Sequence, residues 1–116
     1  MTSQFQTLLD PLTRLVGVQG AMLVSGSDGL VIAEALMETV RGDALAALSA
    51  SLVGRVRQLA GTAGRGEPLF VQLQAKGGAV FVATAPADLL VVVLGGSETP
   101  VGLARVEMRR AVEHLA

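Results

Sequence analysis

The chain has 116 residues, enough for one ordinary domain, and we read residues 1–116 as a single unit with its own hydrophobic core. Its 9 basic and 10 acidic residues leave a formal net charge of −1, and Phe5, Phe70 and Phe81 are its only aromatic residues. Without a basic surface or rings for bases to stack on, no nucleic-acid partner is expected. Cysteine is absent, which excludes a disulfide scaffold and a thiolate metal site and fits a cytoplasmic protein.

Residues 3–16 set Phe5, Leu8, Leu9, Leu12, Leu15 and Val16 on one face of a helix. Pro11 lacks a backbone donor, so this helix is expected to be kinked, or to be two pieces with Asp10 capping the second. After Gly17 and Gly20, residues 21–24 and 30–36 read as strands. The Asp28-Gly29 pair between them suits a tight hairpin turn. Asp43 is positioned to cap a long helix over 43–63.

In that helix Leu45, Leu48, Leu52, Val56 and Leu59 recur at spacings of three and four, which predicts its core-facing stripe. Beside it runs a row of small residues four apart, Ala46, Ala50 and Gly54. Such a row lets a second helix come close. A glycine inside a helix costs about 1 kcal/mol relative to alanine, so the row predicts a contact between two copies of the chain, with packing inside one subunit as the alternative. Gly61-Thr-Ala-Gly-Arg-Gly66 stops the helix. It lacks the Lys-Ser/Thr ending of a phosphate loop, so the chain is not expected to be a nucleotide-binding enzyme itself.

Three strands follow over 68–75, 79–84 and 89–94, separated by turns at Gly77-Gly78 and Pro86-Ala87-Asp88. The last, Leu-Leu-Val-Val-Val-Leu, has no polar face and belongs at the centre of a sheet covered on both sides. Gln72 and Gln74 alternate along the first, which predicts an edge strand. Thr99 as the cap and Pro100 as the first residue open a final helix over 100–115 with Val101, Ala104, Met108, Ala111 and Leu115 inward. The start, residues 1–6, lacks the basic-then-apolar order of a signal peptide. Pro86 and Asp88 interrupt the longest apolar stretch, so no membrane span is expected.

The order is helix, two strands, helix, three strands, helix, with hairpins that make neighbouring strands antiparallel. The predicted fold class is an α/β (α+β sandwich) chain. Its five-stranded antiparallel sheet carries the long helix on one face and the two terminal helices on the other. That order resembles the roadblock family, and most of all its bacterial and archaeal MglB-like members. The residues that carry the likeness are Gly17-Val-Gln-Gly-Ala-Met-Leu-Val24, Asp28-Gly29-Leu-Val-Ile-Ala33, Leu89-Leu-Val-Val-Val-Leu94 and the closing helix with Gly102. The resemblance implies a dimer in which the edge strand bearing Gln72 and Gln74 pairs with its mate and the central helices lie side by side. It also implies a small Ras-like GTPase as partner, bound and regulated or scaffolded. An adaptor module of light-chain type and a small-ligand sensor remain the alternatives.

Catalytic chemistry is poorly provided for. His114 is the only histidine and lies at a helix end, where capping or surface exposure competes with any acid-base role. Ser25, Ser27 and Asp28 share a turn without a neighbouring base. Gly95-Gly96-Ser97-Glu98-Thr99 leads from a strand into a helix N-terminus, but Glu98 opposes an anion there. No catalytic residue, cofactor or metal is therefore expected. Arg55 and Arg57 on the long helix are the predicted contacts to a partner, with a merely solvated helix face as the alternative. Arg105, Arg109 and Arg110 read as the wet face of the last helix.

Overall fold

A computed structural model describes the backbone of residues 2–116 and the side chains from Gln4 onward. The elements are α1 (Thr2–Thr13), β1 (Gly20–Ser25), β2 (Val31–Leu36), α2 (Gly42–Thr62), β3 (Phe70–Ala75), β4 (Gly78–Ala85), β5 (Leu89–Gly95) and α3 (Val101–His114), with one 3-10 turn at Pro86–Asp88. The strands form one sheet in the order β2-β1-β5-β4-β3, each pair antiparallel. The wholly apolar β5 takes the centre and the strand with alternating glutamines an edge, as their patterns predict.

Side chains alternate between two apolar layers. Leu23, Phe81, Val91 and Val93 meet Leu9 and Leu12 of α1 and Ala104, Met108 and Ala111 of α3. Met22, Val24, Val82, Leu90 and Val92 meet Ala46 and Val53 of α2 on the other face. The expected division of helices between the faces holds, and so does the inner face of α3.

α1 runs unbroken through Pro11 rather than in two pieces, because the proline lies in its last turn, where few bonds remain to lose. It ends at Thr13, so Val16 turns outward instead of joining the inner face. Asp43 is not the N-cap. Arg41 holds that position, and the Asp43 carboxylate accepts the Ala44 N–H at 2.8 Å from within the first turn. Thr99 does not cap α3 either; its hydroxyl accepts from the Gly96 N–H and donates to the Val16 carbonyl, joining two loops 83 residues apart.

The largest correction concerns α2. Gly42, Ala46, Ser49 and Val53 are its buried residues, while Leu48 and Leu59 stand 69% and 70% exposed. The predicted leucine stripe is thus not the face on the sheet. Small residues fill that role because they let the helix lie close, and the leucines fall on its flank, a large part of a turn away. A similar close approach explains Gly29, which has φ +70° and would set a Cβ 3.0 Å from the Cα of Ala47. The glycine-rich segment does end α2. Gly64 has φ +71°, the Arg65 N–H bonds Ala60 and the Gly64 N–H bonds Gly61, the paired bonds of a left-handed helix stop.

Candidate protein-binding interface

The two edges of the sheet are finished differently. At β2, α1 packs alongside and the Gln6 side-chain amide donates to the Glu34 carbonyl at 3.2 Å. The β1–β2 register also shifts between Leu23 and Val24, which bends the ribbon. At β3, Gln72, Leu73, Gln74 and Ala75 are all exposed. Gln72 and Gln74 pair with Phe81 and Ala79 and so point to the α1–α3 face, where their side chains bond each other at 3.1 Å. Leu73 pairs with Val80 and points to the α2 face.

α2 packs chiefly over β1, β2 and β5. One flank of it meets the β1–β2 turn, where Gly29 approaches Ala47 and Ala50. The other flank carries Leu45, Leu52 and Val56, half-buried, and beyond them the exposed Leu48 and Leu59. Together with Leu73 these side chains leave apolar surface uncovered on the α2 side of the chain. Polar rims around such apolar area mark interaction surfaces in general.

Of the row Ala46, Ala50 and Gly54, the structure sends the members to different surroundings. Ala46 is wholly buried on its own sheet, so it has no surface for a second copy, and its assignment to a dimer contact is corrected. Ala50 is half-buried beside the β1–β2 turn, and Gly54 faces open space. The side chains that sequence periodicity assigned to the core, Leu48 and Leu59, are the ones left available.

The two arginines of α2 also part company. Arg57 is half-buried and grips Glu67 with two nitrogens, at 2.9 and 3.0 Å, while Asp88 lies 3.7 Å away. The hydrogen bond from Arg57 holds the Glu67 carboxyl below its usual range, and the same bond raises the arginine further. Its charge is therefore committed within the chain, tying the approach to β3 and the β4–β5 turn to α2. In that turn Ala87 and Asp88 both take left-handed φ, and the Asp88 carbonyl accepts the Gly26 N–H at 2.7 Å. Arg55 is exposed and forms no ion pair among the described residues.

Elsewhere, the His114 ring nitrogen Nδ1 lies 2.8 Å from the Arg110 carbonyl, one turn back at the end of α3. A hollow of about 590 Å³ opens between α1 and α3 beside Phe5, Leu8 and Leu115. Among the described residues, no three His, Asp or Glu side chains gather as metal ligands would, and no helix is long and apolar enough to cross a membrane.

Known proteins share this architecture. Residues 4–95 match the Roadblock/LC7 domain. An uncharacterized protein of Methanocaldococcus jannaschii is 31% identical over 104 residues, covering 90% of each chain. The Roadblock/LC7 domain from Streptomyces avermitilis is 26% identical, covers 93% of this chain and 91% of its own, and superposes with a TM-score of 0.85. MglB of Myxococcus xanthus, 22% identical, covers 97% and 92% with a TM-score of 0.88, a likeness of fold. The matched domain takes in the whole sheet, both edges and α2, and the chain belongs to the Roadblock/LC7 family.

Proposed function

We propose that this chain is a non-enzymatic, cytoplasmic homodimer that binds a small Ras-like GTPase and regulates or scaffolds it. The observation that carries the reading is the pairing of an open β3 edge with an uncovered leucine flank on α2. If β3 pairs with its mate, the sheet continues across both copies, and Leu48, Leu59 and Leu73 are buried at the same join. Gln72 and Gln74 belong to that seam, and Ala50 and Gly54 to the far side of α2. Membership of the family and the structural likeness to MglB support the GTPase as partner.

Arg55 is the arginine we assign to the partner, since Arg57 is held by Glu67 and Asp88. Light scattering of the pure protein should give twice the chain mass at micromolar concentration; a monomer there rejects the dimer. Capture from the native cell should bring down a small GTPase with guanine nucleotide in the eluate. With that GTPase purified, Arg55→Glu should weaken binding by about tenfold or more, the loss of one charge-assisted contact, measured where light scattering shows the variant still dimeric, since Arg55 lies one turn from Leu59. If Arg55→Glu binds as the parent does, the α2 face is not the GTPase site.

A further inference from the structure

On the face of the sheet opposite α2, a groove of about 200 Å³ runs between β3 and α3. Phe70, Ala83, Thr84 and Val112 line it, and Leu69, Arg105 and Arg109 form its rim. The Arg105 guanidinium lies 5.0 Å from the centre of the Phe70 ring, which itself stacks on Phe81 at 6.0 Å. A guanidinium held over a ring has already lost much of its freedom, so less is lost when it binds a carboxylate. Arg109 follows one helical turn later. Neither arginine forms an ion pair among the described residues, whereas the neighbouring Arg110 is paired with Glu107 at 3.0 Å.

Leu69 makes the other half of the argument. The Thr84 N–H bonds the Leu69 carbonyl at 3.2 Å, and the Thr84 hydroxyl bonds the Pro68 carbonyl at 2.6 Å. The backbone is thus pinned on both sides while the leucine side chain stays 76% exposed. A large aliphatic group is carried to water on a held backbone, on the lining of a groove it shares with two guanidiniums that form no ion pair among the described residues. Such a site complements a segment of opposite charge with an apolar anchor.

We propose that this groove docks an extended segment of a partner protein in which a carboxylate stands next to an aliphatic side chain. The carboxylate meets Arg105 and Arg109, and the aliphatic group packs on Leu69 and the Phe70 floor. The site is built within one copy and faces away from α2, so it stands whether or not the GTPase reading holds. It would let the protein hold a second partner on the opposite face of the sheet.

The test uses the full chain and a fluorescently labelled peptide of alternating aspartate and leucine, followed by anisotropy. The wild type should bind it, and a peptide with asparagine for aspartate should bind roughly tenfold more weakly. Arg105→Gln with Arg109→Gln should lose a similar factor, Leu69→Ser a smaller one, and Arg110→Gln nothing, with circular dichroism unchanged in each. If the double variant fails to fold, Leu69→Ser and the asparagine peptide decide. No binding by the wild type, or equal binding of the two peptides, overturns the proposal. So does a wild type that ignores the peptide but binds phosphatidylserine vesicles through the same arginines.

Discussion

Along β2, α1 packs nearby and the Gln6 side-chain amide donates to the Glu34 carbonyl. Along β3 the neighbouring side chains are two glutamines, a leucine and an alanine, all exposed, and α2 packs chiefly over the other half of the sheet. Both are edge strands of six residues in the same sheet. What separates them is whether the chain's own helices cover the edge. An unpaired strand offers a row of donors and acceptors to any matching strand, and proteins ordinarily cover, charge or bend such rows. This chain places α1 and the Gln6 bond at β2 and leaves the side chains of residues 72–75 in β3 exposed, which is the contrast the proposed dimer rests on.

The difference can be broken first at the helix beside the open edge. Leu48→Glu combined with Leu59→Glu alters two side chains that are exposed in the single chain, so circular dichroism and melting of the monomer should change little. Burying a leucine contributes about 1.5–3 kcal/mol, so dimer affinity by analytical ultracentrifugation should fall by about a hundredfold or more. An unaltered dimer places the join elsewhere. A smaller loss, about tenfold, is expected for Leu73→Lys, which sets a charge on the edge strand itself. Hydrogen exchange of the β3 amides should quicken in this variant as the dimer dissociates.

The closed edge is tested with Gln6→Ala. Removing the bond to Glu34 should cost about 1 kcal/mol of stability, read in thermal melting, with dimer affinity unchanged. If β2 then exchanges no faster, Gln6 does not guard that edge. The smallest effect belongs to the tie that fixes the entry to β3. Glu67 titrates below its ordinary range in the folded chain, so its contribution is complete above the unfolded value of about 4.3 and is lost as pH falls through the folded value. The pair is largely exposed and contributes less than about 1 kcal/mol. Glu67→Gln should therefore lower stability slightly at neutral pH, and the difference from the parent should vanish as pH falls through the folded value, flattening the acid side of the profile.

Strand order and helix faces were legible where one pattern had one physical meaning. Six consecutive apolar residues in β5 require cover on both faces, and only the centre of a two-layered sheet supplies it. Gln72 and Gln74 require water on one side. The α2 face was not legible, because this helix carries two apolar rows and periodicity reports only that a row avoids water. It does not say whether the cover is the chain's own sheet or another molecule. Periodicity therefore assigns Leu48 and Leu59 to the core and Ala46 to an interface, whereas in the single chain the two leucines are exposed and Ala46 is buried. The division between Arg55 and Arg57 depended on Glu67 and Asp88, the second of them 31 residues beyond Arg57 and brought near only by the fold. The groove at Leu69 was hidden for a similar reason, since β3 and α3 are far apart in sequence and only the fold brings Arg105 over Phe70.

A single hydrogen bond from Gln6 has a consequence for how many copies can join. Strands that are open on both sides add to one another without end, and such growth yields fibres. In a dimer joined through β3, as proposed, any further strand that paired at β2 would have to displace the Gln6 bond to Glu34. In that proposed dimer the bond works against strand-to-strand growth beyond a closed pair, so a side chain on the first helix would help set the limit from the far side of the sheet.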